Sequence, residues 1–297
     1  MRYSGSTDAG KEGRLLVVTQ PDPLKIEAYP HTARFLLLSD LHIGSAFVDY
    51  DRIEQEFKLA REMGATVLIN GDVFDAVLPS DMKRFNPTCL HPRLHNRADI
   101  LNASIEWACE IFEPYKDLIG LVGVGNHDTA LEKHHSVDAV ALLCDRMGLN
   151  YGGYCGYFIQ SWVYGLRNYH RLKIRYHHGA GGASPVTKGI TDFQRMAAHV
   201  DGDTDLVWVG HKHNRLLVNS VRENVTAQGN FSVRQVINVM TGSYLDTYRE
   251  QSSQDAIKNG RRANYAADWN IAPQDHGGAI LEVSLNKNGK QMRAYLT

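Results

Sequence analysis

Cysteine is scarce and unpaired in this chain: Cys89, Cys109, Cys144 and Cys155 form no CxxC pair and no spacing suited to zinc or a disulfide framework. They read as reduced thiols, buried in the main. Long apolar runs are also missing, since no segment approaches the ~20 residues of a membrane span. The opening MRYSGSTDAGKEGRLLVV lacks the charged stretch, apolar run and small-residue cleavage site of a secretory signal, so the expected location is cytoplasmic, without membrane contact. An excess of one charge is absent too. The 32 basic and 33 acidic side chains nearly cancel, which excludes a global positive field for coating nucleic acid and leaves any such role to a local patch. No internal repeat and no low-complexity tract interrupts the chain.

What is present suits a globular protein: 297 residues, 43% hydrophobic and 22% charged, enough to bury a sizeable core. Residues 1–33 are polar, carry Pro21, Pro23 and Pro30, and read as an N-terminal arm whose one apolar run, Leu15 to Val18, can add an edge strand. Residues 34–297 read as a single domain with an insertion at 80–98. Apolar strand-length runs at 34–39, 66–69 and 118–124 alternate with helical spacing at 49–63 and 99–112, the first helix stopping at Gly64. Strand, helix, strand, helix, strand implies right-handed crossovers and an α/β fold with a mainly parallel sheet. A helix at 137–147 follows, and the pattern then turns β-rich: strands at 157–164 and 173–177 joined by a turn at 165–170, a short helix at 191–199, and strands at 206–209, 215–220, 235–241, 279–285 and 291–296.

Polar clusters fall at the ends of five of these strands: SDLHIGS, NGDVFD, GNHD, HHG and GHKH. Carboxyl ends of strands are where open α/β sheets bind ligands, so five chain segments are expected to converge. The residue types are carboxylate, imidazole and amide without thiolate, a set for manganese, zinc or iron and against a soft cysteine-rich site. Two ions need about seven protein ligands, with one carboxylate shared at a separation of ~3.5–4 Å, and the clusters supply that number. Asp40 and His42 sit two apart and so share a side of an extended segment, as do His211 and His213. Gly71, Gly125 and Gly210 precede the ligands, where a sharp turn calls for positive φ. Either His177 or His178 can serve in the fourth cluster.

In that order, DxH, GDxxD, GNHD, HG and GHxH resemble the calcineurin-like metallophosphoesterases over about residues 34–245. The wording of SDLHIGS, GDVFD and GNHD is most similar to the nuclease subunits of double-strand-break repair complexes and related phage and bacterial phosphoesterases. The resemblance implies two mixed β-sheets packed as a sandwich and flanked by helices, four layers in all, with the metal site at strand C-terminal ends. It implies a first ion held by Asp40, His42, Asp72 and His213, and a second held by Asp72, Asn126, His178 and His211. His178 is chosen because it precedes Gly179 in the HG pattern, His177 then pointing into the sheet. Manganese is the favoured metal, with zinc or iron also suited. His127 is implied as the acid that protonates the departing oxygen, with Asp128 orienting its ring or, alternatively, capping a helix. Asp75 is expected either to support a ligand or to start a helix.

Other features have weaker readings. HHGAGGASPVTKG fails as a phosphate-binding loop because Thr187, not glycine, precedes Lys188, and reads as a loop beside the metals. Lys83, Arg84, Arg93 and Arg97 in the insertion read as a phosphate-binding patch or as an exposed loop balanced by Asp81 and Asp99; Lys258, Arg261 and Arg262 read as a small solvated basic run. The expected function is hydrolysis of phosphate esters, with DNA or RNA diesters the favoured substrate. Phosphomonoesters, cyclic nucleotides and nucleotide-sugar esters are the alternatives, and a non-catalytic scaffold of the same fold is the reading from another class.

Overall fold

Side-chain alternation along the strand His31–Leu38 sets the order of the layers. Phe35 and Leu37 turn to one face, Leu36 and Leu38 to the other, and all four are buried. A strand apolar on both faces needs cover on both sides. The first pair joins Leu68, Leu121, Phe158, Tyr176, Trp208 and Ile237 in a core between two sheets. The second pair joins Ile53, Phe57, Ala108, Phe112 and Leu143 in a core between sheet and helices. Each fully buried Leu or Phe in these cores stabilises the fold by about 1.5–3 kcal/mol.

The computed structural model describes residues 16–19, 23–75, 89–165, 168–182, 186–200, 202–225, 228–245 and 276–297. In chain order the elements are β1 (Leu16–Thr19), β2 (Leu24–Lys25), β3 (His31–Leu38), α1 (Tyr50–Met63), β4 (Thr66–Ile69), α2 (Ile100–Phe112), β5 (Ile119–Val122), α3 (Asn126–His135), α4 (Ala139–Met147), β6 (Cys155–Tyr164), β7 (Asn168–His177), α5 (Ile190–Ala197), β8 (Leu206–Val209), β9 (Leu216–Val225), β10 (Phe231–Met240), β11 (Ala279–Asn286) and β12 (Gly289–Leu296). One sheet has the order β12-β11-β3-β4-β5, with β3, β4 and β5 parallel and β11 antiparallel to both its neighbours. The other has the order β1-β6-β7-β8-β10-β9, with β2 also against β6; β7, β8 and β10 are parallel. Phe193 and Met196 of α5 cover its outer face at Val207, Val209 and Val236. The result is two mixed sheets packed face to face and flanked by helices, the α/β architecture expected.

Local chemistry fixes the ends of the elements. Asp49 accepts a hydrogen bond from the Arg52 amide at the start of α1, and Gly64 ends it in the left-handed region, φ 61°. Three expectations shift. β7 begins at Asn168, because Asn168 to Arg171 pair with Ser161 to Tyr164 where a longer turn was expected. β9 and β10 run on to Val225 and Phe231 as one long hairpin. α3, which the sequence offered only through the capping alternative for Asp128, starts on Asn126 itself; only Asp128 and Leu131 of its ten residues are buried, too few to give an amphipathic period. The four cysteines are free; Cys144 is buried, while Cys89, Cys109 and Cys155 are half-buried. Among the described residues no helix is long and apolar enough to cross a membrane.

Candidate metal centre

The five polar clusters leave the C-terminal ends of β3, β4, β5, β7 and β8 and meet across the junction of the two sheets. Five of the expected ligands have positive φ: Asp40 (57°), His42 (49°), Asp72 (49°), His211 (67°) and His213 (54°). Each costs about 1–3 kcal/mol, and such strain persists only where the surroundings over-determine it. Here main-chain bonds do so: the Asp40 amide donates to the Gly71 carbonyl at 3.0 Å, the His42 amide to the Asp72 carbonyl at 3.0 Å, and the His211 amide to Asp40 Oδ2 at 3.0 Å.

The neighbouring glycines were expected to carry that positive φ, and of them only Gly71 does. Gly125 and Gly210 are needed for space instead. A Cβ on Gly125 would lie 2.1 Å from Asp72 Oδ1, and one on Gly210 would lie 2.9 Å from Asp40 Oδ2.

Donor atoms gather in three groups, each within 4.8 Å: Asp40, His42 and His213; Asp72, His178 and His211; and His42, Asp75 and His127. His213 Nε2 lies 3.3 Å from Asp40 Oδ1, and His178 Nε2 lies 3.2 Å from Asp72 Oδ2. Asn126 joins the second group, its Oδ1 3.2 Å from His178 Nε2. His178, fully buried, meets the Asn70 carbonyl through Nδ1 at 2.8 Å. His177 turns away, its Nδ1 accepting from the Gly179 amide at 2.9 Å and its ring edge-on to Tyr154. The structure thus brings Asp40, His42, Asp72, Asn126, His178, His211 and His213 together.

Charge is arranged accordingly. Burial opposes ionisation of Asp40 and Asp72, yet facing imidazoles outweigh it and hold both carboxyls below the usual range. Burial also opposes charge on His178, but Asp72 and Asp40 push its pKa up to about 9. His42 goes the other way: burial holds its pKa below the usual imidazole range.

Asp128 takes its alternative role, capping a helix, and does not orient His127. Its buried carboxylate accepts from the amides of Gly125 (2.8 Å), Phe74 (3.1 Å) and Val73 (3.2 Å), closing the first turn of α3 and stitching it to the loop after β4. Burial, then the Asp72 charge, push its pKa up to about 7 against those three donors. The His127 ring instead donates through Nδ1 to the Asp75 carbonyl at 2.8 Å, with Asp75 Oδ1 at 3.7 Å. Asp75 Oδ1 is also 3.3 Å from His42 Nδ1. Asp75 is therefore the carboxylate beside both rings, three residues past Asp72 in the same motif.

The donor set fits divalent cations, and one atom argues for them. His42 Nε2 is fully buried without a hydrogen-bond partner, and Nδ1 faces Asp75 off the hydrogen-bond direction. A buried unpaired nitrogen costs about 1–3 kcal/mol, and a cation would satisfy it.

Outside the centre, Arg93 binds Glu110, and Arg97 binds Asp99 and lies near Glu106, so these two arginines of the expected basic patch are engaged by acids. Lys83, Arg84, Asp81, Lys258, Arg261 and Arg262 lie outside the described residues.

No protein-family model matches the chain, and no curated protein matches it in sequence. Among solved structures, a single mutant of Vps29 from Entamoeba histolytica aligns at 13% identity and TM-score 0.32, covering 89% of this chain and 99% of that one. Vacuolar Protein Sorting 29 from Cryptosporidium parvum aligns at 11% identity and TM-score 0.29, over 90% and 98%. GAP50 of Plasmodium, the anchor in the inner membrane complex, aligns at 11% identity and TM-score 0.40, over 89% and 84%. TM-scores this low establish no shared function.

Proposed function

We propose that the chain is a phosphoesterase dependent on two divalent metal ions, of the calcineurin-like metallophosphoesterase kind. The observation that carries this reading is the position of Asp72. Its Oδ2 lies 3.2 Å from His178 Nε2 in one donor group and 3.9 Å from His42 Nε2 in the other. A carboxylate shared in this way is what a pair of cations ~3.5–4 Å apart requires. Asp40, His42, Asp72 and His213 would hold the first; Asp72, Asn126, His178 and His211 the second. Manganese is the favoured metal, with zinc or iron also suited to oxygen and nitrogen donors. Such cations supply neutralisation of phosphate oxygens and a water of lowered pKa.

The rest of the chemistry belongs to the chain. Burial opposes charge on His127, but Asp72 and Asp75 outweigh it and raise its pKa. With Nδ1–H given to the Asp75 carbonyl, Nε2 is the nitrogen left to hold a proton for the departing oxygen. His127 keeps 27% of its side chain exposed, so it can meet a substrate.

The favoured substrate, a nucleic-acid diester, rests on the wording of the SDLHIGS, GDVFD and GNHD motifs. Arginines already engaged by acids add little to it. The deciding experiment compares diester, monoester, single-stranded and duplex DNA substrates with manganese. Turnover of diester and DNA, lost in His127→Ala while the metals stay bound, is expected. Turnover of monoesters alone would refute the nuclease reading, and no turnover of any ester by the loaded chain would favour a scaffold.

A further inference from the structure

Between His211 and His213 stands Lys212, and its side chain is only 4% exposed. Its ammonium donates to the carbonyls of Ala180, Gly181 and Gly182, the last at 3.0 Å. An ammonium has three N–H donors, so three carbonyls satisfy it in full. Asp192 in the first turn of α5 adds a carboxylate oxygen at 3.7 Å. The Gly181 carbonyl has a second neighbour, His211 Nε2, at 3.0 Å. On the other side Tyr154 donates its hydroxyl to the Gly179 carbonyl at 2.7 Å. Gly179 packs so closely on His211 that a Cβ there would lie 2.6 Å from the histidine Cβ. Residues 179–182 are therefore pinned from two directions and form a wall against the His211 ring.

Residues 180–182 are exposed, so the segment meets solvent on the side away from the ammonium. Burying a lysine there costs its rotamer freedom and its hydration, so a role beyond hydrogen-bond satisfaction is called for. We propose that Lys212 is a positioning residue for the metal centre: by clamping residues 180–182 it holds the Gly181 carbonyl on His211 Nε2, leaving Nδ1 as the nitrogen free to bind a cation. The partner of the non-binding ring nitrogen fixes tautomer and orientation in metal-binding histidines, and losing it commonly weakens binding about 10- to 100-fold. This inference rests on the two-cation reading of the site.

Zinc titration of the chelator-treated full-length chain tests it, with circular dichroism and melting temperature as controls of folding. The unsubstituted chain binds two zinc ions. In Lys212→Met one of the two events weakens about 10- to 100-fold, the other keeps its affinity, and the fold is retained. His211→Ala weakens the same event, and adding Lys212→Met to it brings no further loss, as expected of two residues acting in series. If the methionine variant does not fold, Lys212→Gln, which keeps an amide donor at similar reach, weakens that event by a smaller factor. Two unaltered affinities in a folded Lys212 variant overturn the proposal and leave the two-cation reading standing. Absence of zinc binding by the unsubstituted chain overturns both.

Discussion

At the scale of single residues, His178 sets how the centre responds to pH. Its folded-state pKa of about 9 exceeds the ordinary value of 6.5, because Asp72 and Asp40 outweigh burial. The charged ring therefore stabilises the cation-free fold in full below about pH 6.5, and that contribution fades as pH rises through about 9. With chelator present, the melting temperature is expected to be lower at pH 9 than at pH 6.5. Because a cation needs the neutral ring, zinc binding at pH 7 should expel protons, giving a heat that varies with the ionisation enthalpy of the buffer. An unchanged melting temperature across that window would count against this arrangement. The residue types at the strand ends were legible in the sequence, and His178, the one of the pair before Gly179, is the one that lies beside Asp72 and His211. Which of Asp75 and Asp128 faces His127 was not, because loop path rather than spacing decides it. Nor was the burial of Lys212, since nothing in GHKH says that its side chain turns inward.

At the scale of elements, α3 holds the GNHD cluster through Asp128. Asp128→Ala would leave the buried amides of Val73, Phe74 and Gly125 without their acceptor. At about 1–3 kcal/mol for each unsatisfied group, partly relieved by relaxation, a loss of about 3 kcal/mol is expected in urea unfolding. His127→Ala should leave stability within about 0.5–1 kcal/mol while removing turnover, since that ring is part-exposed and holds one carbonyl. Equal losses from the two substitutions would contradict the division of roles. The strongly periodic elements, α1 and α2, were legible from their apolar spacing. The short α3 was not: its hold on the fold is a carboxylate and one leucine rather than an apolar stripe.

At the scale of the molecule, the two sheets are tied at the end away from the centre by Asp205, just before β8. Its buried carboxylate takes Arg234 of β10 in its own sheet and Lys290 of β12 in the other, and accepts from the Lys173 amide at 2.8 Å. Asp205→Ala removes that carboxylate from both cations and leaves Lys290 the Arg171 carbonyl. A loss of about 3 kcal/mol is expected, at the lower end for a broken buried pair because Arg234 and Lys290 keep partial exposure. Zinc affinity should be unaltered, since the centre lies at the opposite end of β8; a linked fall in affinity would mean the sheets move as the site fills. The parallel half of the fold could be read from its strand and helix order. The facing of the second sheet came from the family resemblance alone, because Phe35 to Leu38 read as one apolar run whichever layer each side chain enters.

Cation stoichiometry of the purified chain, measured by elemental analysis after reconstitution with zinc or manganese, tests the central claim most directly. Two ions per chain, with both binding events weakened together in Asp72→Ala, is the expected result, because that carboxylate faces both donor groups. A chain that retains no ion, or an Asp72→Ala variant that binds two as tightly as before, would contradict it.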